Sequence, residues 1–195
     1  MDIEKHLFTL LAEAIEKRIP EDVKDIYALS FYSFPLDEDP RQMRLEMSHN
    51  TESQAQAAAS LVKDPREARW NYAYWLQEPT AIFGRDSKQE KRDIAVRDAW
   101  MRQTDLFYTD EEEIEYPDMI EPKMERLPTA FHELLARVAM RLHGDSVLDK
   151  RWGKALPIVI HNGDFNEETL RLTRAGNPPG VLTEFEEWMT AHIGR

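Results

Sequence analysis

Histidine is the side chain best suited to catalysis or metal binding in this chain, because the sequence contains six histidines and no cysteine. His132 and His143 lie eleven residues apart on one predicted helix. This spacing places them on nearly the same face but about 16 Å apart along the helix axis, too far apart to share one ion. No second histidine follows His132 to complete a His-Glu-x-x-His zinc motif. The sequence therefore predicts no metal site.

A second group of polar residues, His161, Asn162 and Asp164, follows the apolar run that ends at residue 161. In proteins that combine helices and strands, ligands often bind where a strand ends, so an enzyme site is one interpretation. A polar turn is the other, because Asn and Asp side chains bond to nearby backbone groups and favour turns. Spacing ties no second histidine or nucleophile to His161. The turn is the favoured interpretation, and the enzyme site is the alternative.

Glycine-rich loops that bind nucleotides are missing from the chain, which has seven glycines. It contains no Gly-x-Gly-x-x-Gly sequence, no phosphate loop ending in Gly-Lys-Ser/Thr and no Gly-x-Ser-x-Gly hydrolase elbow. We therefore expect no cofactor, and no residue is predicted to be catalytic.

Residues 105–126 carry the densest run of acidic side chains, interrupted by Pro117 and Pro122. The apolar pattern breaks down here, which predicts a long acidic loop, and such loops are usually functional or disordered. The run lacks the alternating acidic pattern and central glycine of a calcium loop. One interpretation is a solvated loop. The other is an interface for a basic protein, since aromatic side chains anchor partners and carboxylates steer them. The interface residues predicted on this basis are Tyr108, Glu111, Glu112, Glu113, Tyr116 and Asp118.

The charge of the chain limits the class of partner it can bind. A formal net charge of −12 makes nucleic acid and anionic membrane surfaces poor partners and makes a basic protein a reasonable one. Solubility alone also explains an acidic composition. The first residues lack the features of a signal peptide, and no run approaches the ~20 apolar residues of a membrane span. Together with the absence of cysteine, this predicts a cytoplasmic protein.

The predicted helices and strands that position these residues indicate an α+β fold. Residues 25–34 and 42–48 form a predicted hairpin, because the second run alternates strictly between apolar and polar side chains. Residues 156–161 read as a third, buried strand. We expect a small, mainly antiparallel sheet, flanked by about six helices, in one globular domain over residues 1–195.

Helix positions follow from apolar stripes and start signals. Residues 2–18 and 128–143 carry apolar side chains at helical spacing. Side chains that cap the first turn of a helix are expected at several other starts. These are Thr51, Asp64, Ser87, Asn166 and Asn177.

The most aromatic stretch, residues 68–76, holds two tryptophans and two tyrosines. It follows the start signal Asp64-Pro65 and predicts a helix that is apolar on nearly every side. A helix without a polar face is usually buried. We therefore interpret the stretch as part of the core and not as a binding surface.

Several pieces of the chain together resemble one bacterial family. They are residues 25–32, 50–52, 68–76, 158–160, 163–164, 177–179 and 185–188. The family is known only as a domain of unknown function, and its members have no established activity. Some are found near polymorphic-toxin and immunity genes. The resemblance implies a small acidic protein that binds and neutralises a toxin, and it implies no catalytic residues.

These observations predict a non-enzymatic bacterial binding protein, of the immunity type, whose partner is basic. Two alternatives stay open. One is an enzyme with a site around His161, Asn162 and Asp164, and the other is a structural or oligomerisation module. The sequence does not define an oligomeric state.

Overall fold

The computed structural model describes residues 2–193 and has the predicted α+β class. Within that range it has nine helices: α1 (Ile3–Lys17), α2 (Glu52–Ala58), α3 (Pro65–Trp70), α4 (Glu90–Gln103), α5 (Asp110–Glu115), α6 (Pro117–Gly144), α7 (Val147–Trp152), α8 (Glu167–Ala175) and α9 (Thr183–Ile193). The strands are β1 (Ile26–Pro35), β2 (Met43–Thr51), β3 (Ala81–Phe83) and β4 (Ile158–His161).

The strands form one four-stranded sheet in the order β3-β2-β1-β4. The predicted hairpin is confirmed as β1 and β2, which pair antiparallel with Phe31 opposite Met47. β3 pairs antiparallel with β2 on the other side. β4 pairs with β1 in parallel, with Ile160 opposite Phe31. The sheet is therefore mixed, and the mainly antiparallel prediction describes only its β3-β2-β1 part.

Two features of the sheet differ from the prediction, each for a physical reason. β3 was not predicted because its three residues, Ala81–Phe83, are too short to show an alternating pattern. The direction of β4 could not follow from local pattern. A short hairpin loop forces antiparallel pairing, whereas the long connection from β2 to β4 permits either direction.

The main core lies on the sheet face that carries Leu29 and Phe31, where α1, α4 and α6 pack. Phe131 of α6 stacks on Phe83 of β3 with ring centroids 5.9 Å apart. The predicted first helix is confirmed as α1, and Asp2 caps it by accepting from two backbone N–H groups. His6 of α1 lies edge-on to Phe83, with ring centroids 6.0 Å apart, and Asp93 of α4 accepts from the backbone N–H of Gly84 just after β3, so both helices lie beside the β3 edge of the sheet.

A smaller core covers part of the opposite face, where Ala28 and Val159 meet α3 and α9. Trp70 lies edge-to-face on Phe185, with centroids 5.5 Å apart. The cover does not reach the far end of β1, where Tyr32 stays partly exposed. Helices α3 and α9 therefore cover the half of this face nearest the start of β1.

The aromatic stretch is buried at its tryptophans, as predicted, but it is not one helix. α3 ends at Trp70, and Asn71 has extended backbone angles before a short 3₁₀ turn over Tyr72–Tyr74. The Asn71 amide oxygen accepts from the backbone N–H of Ala73. Asparagine competes with helix formation by bonding to the backbone in this way. Trp75 is buried beyond the break, where its indole N–H donates to the carbonyl of Arg69.

The predicted acidic loop at residues 105–126 is wrong, because most of it is helical. α5 and the first turns of α6 occupy it, and Pro122 and Pro128 lie inside α6. Prolines inside a helix lower its local propensity, but burial of Ile120 and Leu127 stabilises this one. At 28 residues α6 is long, yet no helix within residues 2–193 is long and apolar enough to cross a membrane.

Three predicted helix caps are confirmed, and two are wrong. Thr51, Asp64 and Asn166 each accept from a backbone N–H in the first turn of their helix. Ser87 does not cap α4, which begins at Glu90. Asn177 lies well before α9 and bonds to β4 instead. Both side chains were read as caps from local sequence, and both are used in tertiary contacts.

Candidate functional site

His161 is buried at the end of β4 in a stack of aromatic rings. Tyr32 and Phe165 lie nearly parallel to its imidazole, with centroids 5.3 and 5.5 Å away. The Tyr72 ring is tilted against the imidazole, with the two ring centroids 4.7 Å apart. Burial lowers the pKa of His161 to about 3, and the nearby His132 adds to the shift. The imidazole is therefore neutral at physiological pH.

Both ring nitrogens of His161 are already hydrogen-bonded. The backbone N–H of Gly163 donates to Nδ1 over 3.2 Å, so Nδ1 is the acceptor. The proton of the neutral ring then lies on Nε2, which donates to Ser30 Oγ at 2.8 Å. A histidine that activates a serine needs its lone pair on that nitrogen. This geometry gives His161 a structural role in place of a base.

Asn162 and Asp164 lie on the surface of the turn that follows β4. The side chain of Asn162 accepts from the backbone N–H of Asp164 at 3.1 Å. Gly163 between them has φ of 103°, which favours glycine. The carbonyl of Asp164 accepts from the Thr169 hydroxyl in α8 at 2.7 Å. The structure thus brings the three residues together as a hydrogen-bonded turn.

The predicted interface residues are divided between the interior and the surface. Tyr108 is only 1% exposed and packs in the main core, so it cannot serve as a surface anchor. The Arg41 guanidinium lies 4.7 Å from its ring centroid. Arg41 also donates to Asp110 at 2.6 Å and approaches Glu113 at 3.7 Å. Arg41 therefore holds α5 against the turn before β2.

The three consecutive glutamates have different roles. Glu112 and Thr109 form a capping box at the start of α5, each side chain bonding to the backbone of the other. Glu113 faces Arg41. Glu111 is exposed and forms no ion pair within the described chain. Neutralising all three at once would therefore disturb α5 as well as any interface.

Apolar side chains are exposed beside these carboxylates where α5 meets α6. Ile114 is 83%, Tyr116 48% and Met119 71% exposed. Their acidic neighbours Glu111 and Asp118 also face solvent. We call these five residues the α5–α6 surface. Tyr116 was predicted, whereas Ile114 and Met119 were missed because the segment was read as a loop and only its aromatic and acidic residues were considered.

A second arrangement could not be found from the sequence, because its two main residues are 87 positions apart. Asp93, fully buried in the first turn of α4, lies 2.6 Å from His6 Nε2 of α1. Its other oxygen accepts from the Ser87 hydroxyl and from the backbone N–H of Gly84. A buried carboxylate with three donors is satisfied as an acceptor. Asp93 therefore orients the His6 ring.

Neither arrangement has the composition of a metal centre. Among residues 2–193 no group of three or more His, Asp or Glu side chains is placed to hold a metal ion. Comparison with protein-family models, with curated proteins and with solved structures gave no match.

Proposed function

We propose that this protein is a non-enzymatic binding protein of the immunity type, which neutralises a basic toxin through the α5–α6 surface. The observation that carries the proposal is the exposure of Ile114, Tyr116 and Met119 within six residues. Only three other large hydrophobic side chains are exposed among residues 2–193, and they lie in separate parts of the chain. Exposed apolar groups that cluster and have a polar rim mark interaction sites, whereas scattered ones do not.

Charge supports a basic partner. Glu111, Asp118 and Glu121 are close in sequence to the apolar side chains, are exposed, and have no ion-pair partner in the described chain. The whole chain has a formal net charge of −12. Carboxylates at the rim of an apolar patch steer a positively charged partner toward it and disfavour acidic ones.

The surface is also preorganised. The capping box of Glu112 and the contacts from Arg41 to Asp110 and Glu113 hold α5 in place. A rigid surface loses less conformational entropy when it binds. These three acidic side chains therefore hold α5 in place, and we do not expect them to contact the partner.

The test is binding of the purified protein to the purified product of an adjacent toxin gene, measured by calorimetry. We compare the wild type with an Ile114→Ser/Met119→Ser variant. Because burial of one large apolar side chain contributes about 1.5–3 kcal/mol, we expect binding to weaken at least about tenfold. Both side chains are exposed, so the variant should melt at the wild-type temperature.

Leu61→Ser is the matched control, because Leu61 is 73% exposed and lies outside the surface. It should bind as the wild type does. If the double variant keeps wild-type affinity, the α5–α6 surface is not the binding site. If no adjacent gene product binds the wild-type protein, the immunity function itself is wrong.

A further inference from the structure

A cleft of about 520 Å³ lies between α1 and the start of α4, on a different part of the molecule from α5. His6 is one of its lining residues, although only 7% of its surface is exposed. Lys5 and Arg92 also line it, from α1 and α4 respectively. Pockets of this size take small molecules.

The His6 ring offers the cleft an unused acceptor. Its Nε2 is bonded to Asp93, whose remaining oxygen already accepts from Ser87 and Gly84. The carboxylate therefore acts as an acceptor, so Nε2 carries a proton, and in the singly protonated ring the lone pair lies on Nδ1. Nδ1 has no hydrogen-bond partner among residues 2–193, and 4% of the side-chain surface is exposed.

The acidic side chains that line the cleft have partners within the protein, whereas the cationic side chains have none among residues 2–193. Asp2 is used in capping α1, and Glu13 pairs with Lys17 at 3.3 Å. Lys5 and Arg92 are exposed and have no ion-pair partner in the described chain. The carboxylates are thus occupied and the cations are available, although the protein as a whole is strongly acidic. The cleft is suited to an anion.

We propose that this cleft binds a small anion that carries a hydroxyl group. The hydroxyl donates to Nδ1 of His6, and the phosphate or carboxylate pairs with Lys5 and Arg92. Asp93 is a positioning residue, because it fixes the tautomer and the direction of the His6 ring without touching the ligand. This site is independent of the α5–α6 surface, so each proposal can fail alone.

The first experiment reads the His6 ring directly in the ¹⁵N-labelled protein. Long-range proton–nitrogen spectra should show Nε2 protonated and Nδ1 unprotonated in the free protein. Glycerol 3-phosphate, glycerate and lactate are then added separately at millimolar concentration. At least one should move the Nδ1 resonance saturably. A free protein with a proton on Nδ1, alone or together with Nε2, or no saturable shift with any of the three, overturns the proposal.

The second experiment tests separately the recognition of the hydroxyl group by His6 and of the anionic group by Lys5 and Arg92. Propyl phosphate lacks the hydroxyls of glycerol 3-phosphate, so it should bind roughly tenfold more weakly and leave Nδ1 unmoved. Lys5→Gln/Arg92→Gln should weaken every probe that binds the wild type by about tenfold or more. Lys63→Gln/Lys91→Gln removes the same charge outside the cleft and should leave binding unchanged. Equal weakening by both double variants overturns the site and shows a general charge effect.

Discussion

Two buried histidines show how the second ring nitrogen decides what an imidazole can do. His161 uses Nδ1 to accept from Gly163 and Nε2 to bond to Ser30, so no lone pair remains. His6 uses Nε2 toward Asp93, and its Nδ1 has no partner in the described chain. The first geometry stabilises a turn, and the second leaves an acceptor at a cleft. Burial alone would not have distinguished them.

The buried His161 should make the protein sensitive to mild acid. Its pKa is about 3 in the folded state, whereas an unfolded histidine titrates near 6.5. The unfolded chain therefore binds more protons below pH 6.5, and the free energy of unfolding falls as the pH drops from 6.5 toward 3. At about 1.4 kcal/mol per pH unit, His161 alone should lower it by about 2 kcal/mol between pH 6.5 and pH 5. Urea denaturation at several pH values measures this.

His161→Asn is the variant that isolates this effect. It should be less stable than the wild type at pH 7, because packing in the aromatic stack is lost, but its stability should fall less steeply with acid. His49, His132 and His143 also have lowered pKa values through burial, so some acid sensitivity will remain. Parallel pH profiles for the wild type and the variant would contradict the assignment.

At the scale of elements, prediction succeeded where a short stretch of sequence carries its own pattern. The alternation of Met43, Leu45 and Met47 was sufficient to identify β2, and the stripe of α1 to identify the first helix. It failed where distant residues decide. The start of α6 is helical despite Pro122 because Ile120 and Leu127 are buried. For the same reason, no spacing could connect His6 with Asp93.

The outer edge of β4 is bonded to two side chains, and this role could not be predicted from local sequence. Asn177, read as a helix cap, accepts from the N–H of Ile158 at 2.9 Å and donates to its carbonyl at 2.8 Å. The hydroxyl of Thr173 accepts from the N–H of Ile160 at 3.1 Å. These side chains occupy backbone groups that an unprotected edge strand would offer to another chain.

Asn177→Ala should therefore destabilise the fold substantially. It leaves the N–H and the carbonyl of Ile158 buried without partners, and each such group costs about 1–3 kcal/mol. We expect the free energy of unfolding to drop by about 2–4 kcal/mol, measured by urea denaturation. Thr173→Val and Thr173→Ser are a matched pair at the next position, and only the first should be clearly destabilising. Equal stability of that pair would show that the edge bonds contribute little.

In the molecule as a whole, net charge and exposed apolar side chains have separate roles in binding. The net charge of −12 acts over the distance that salt permits, which is about 30 Å at 0.01 M and about 8 Å at 0.15 M ionic strength. The exposed apolar side chains of the α5–α6 surface act only on contact. Charge should therefore govern how fast a basic partner arrives, and apolar burial how long it stays.

This separation can be measured in the kinetics of partner binding. For the wild type, we expect the association rate constant to fall about tenfold or more between low and physiological salt, because steering is screened. Glu111→Gln/Asp118→Asn should lower that rate at low salt with little change in dissociation, whereas Ile114→Ser should mainly speed dissociation. Glu21→Gln/Glu78→Gln removes the same net charge from exposed positions outside the surface. If this control slows association as much as the surface variant does, total charge steers the partner and the position of the carboxylates beside Ile114 is irrelevant.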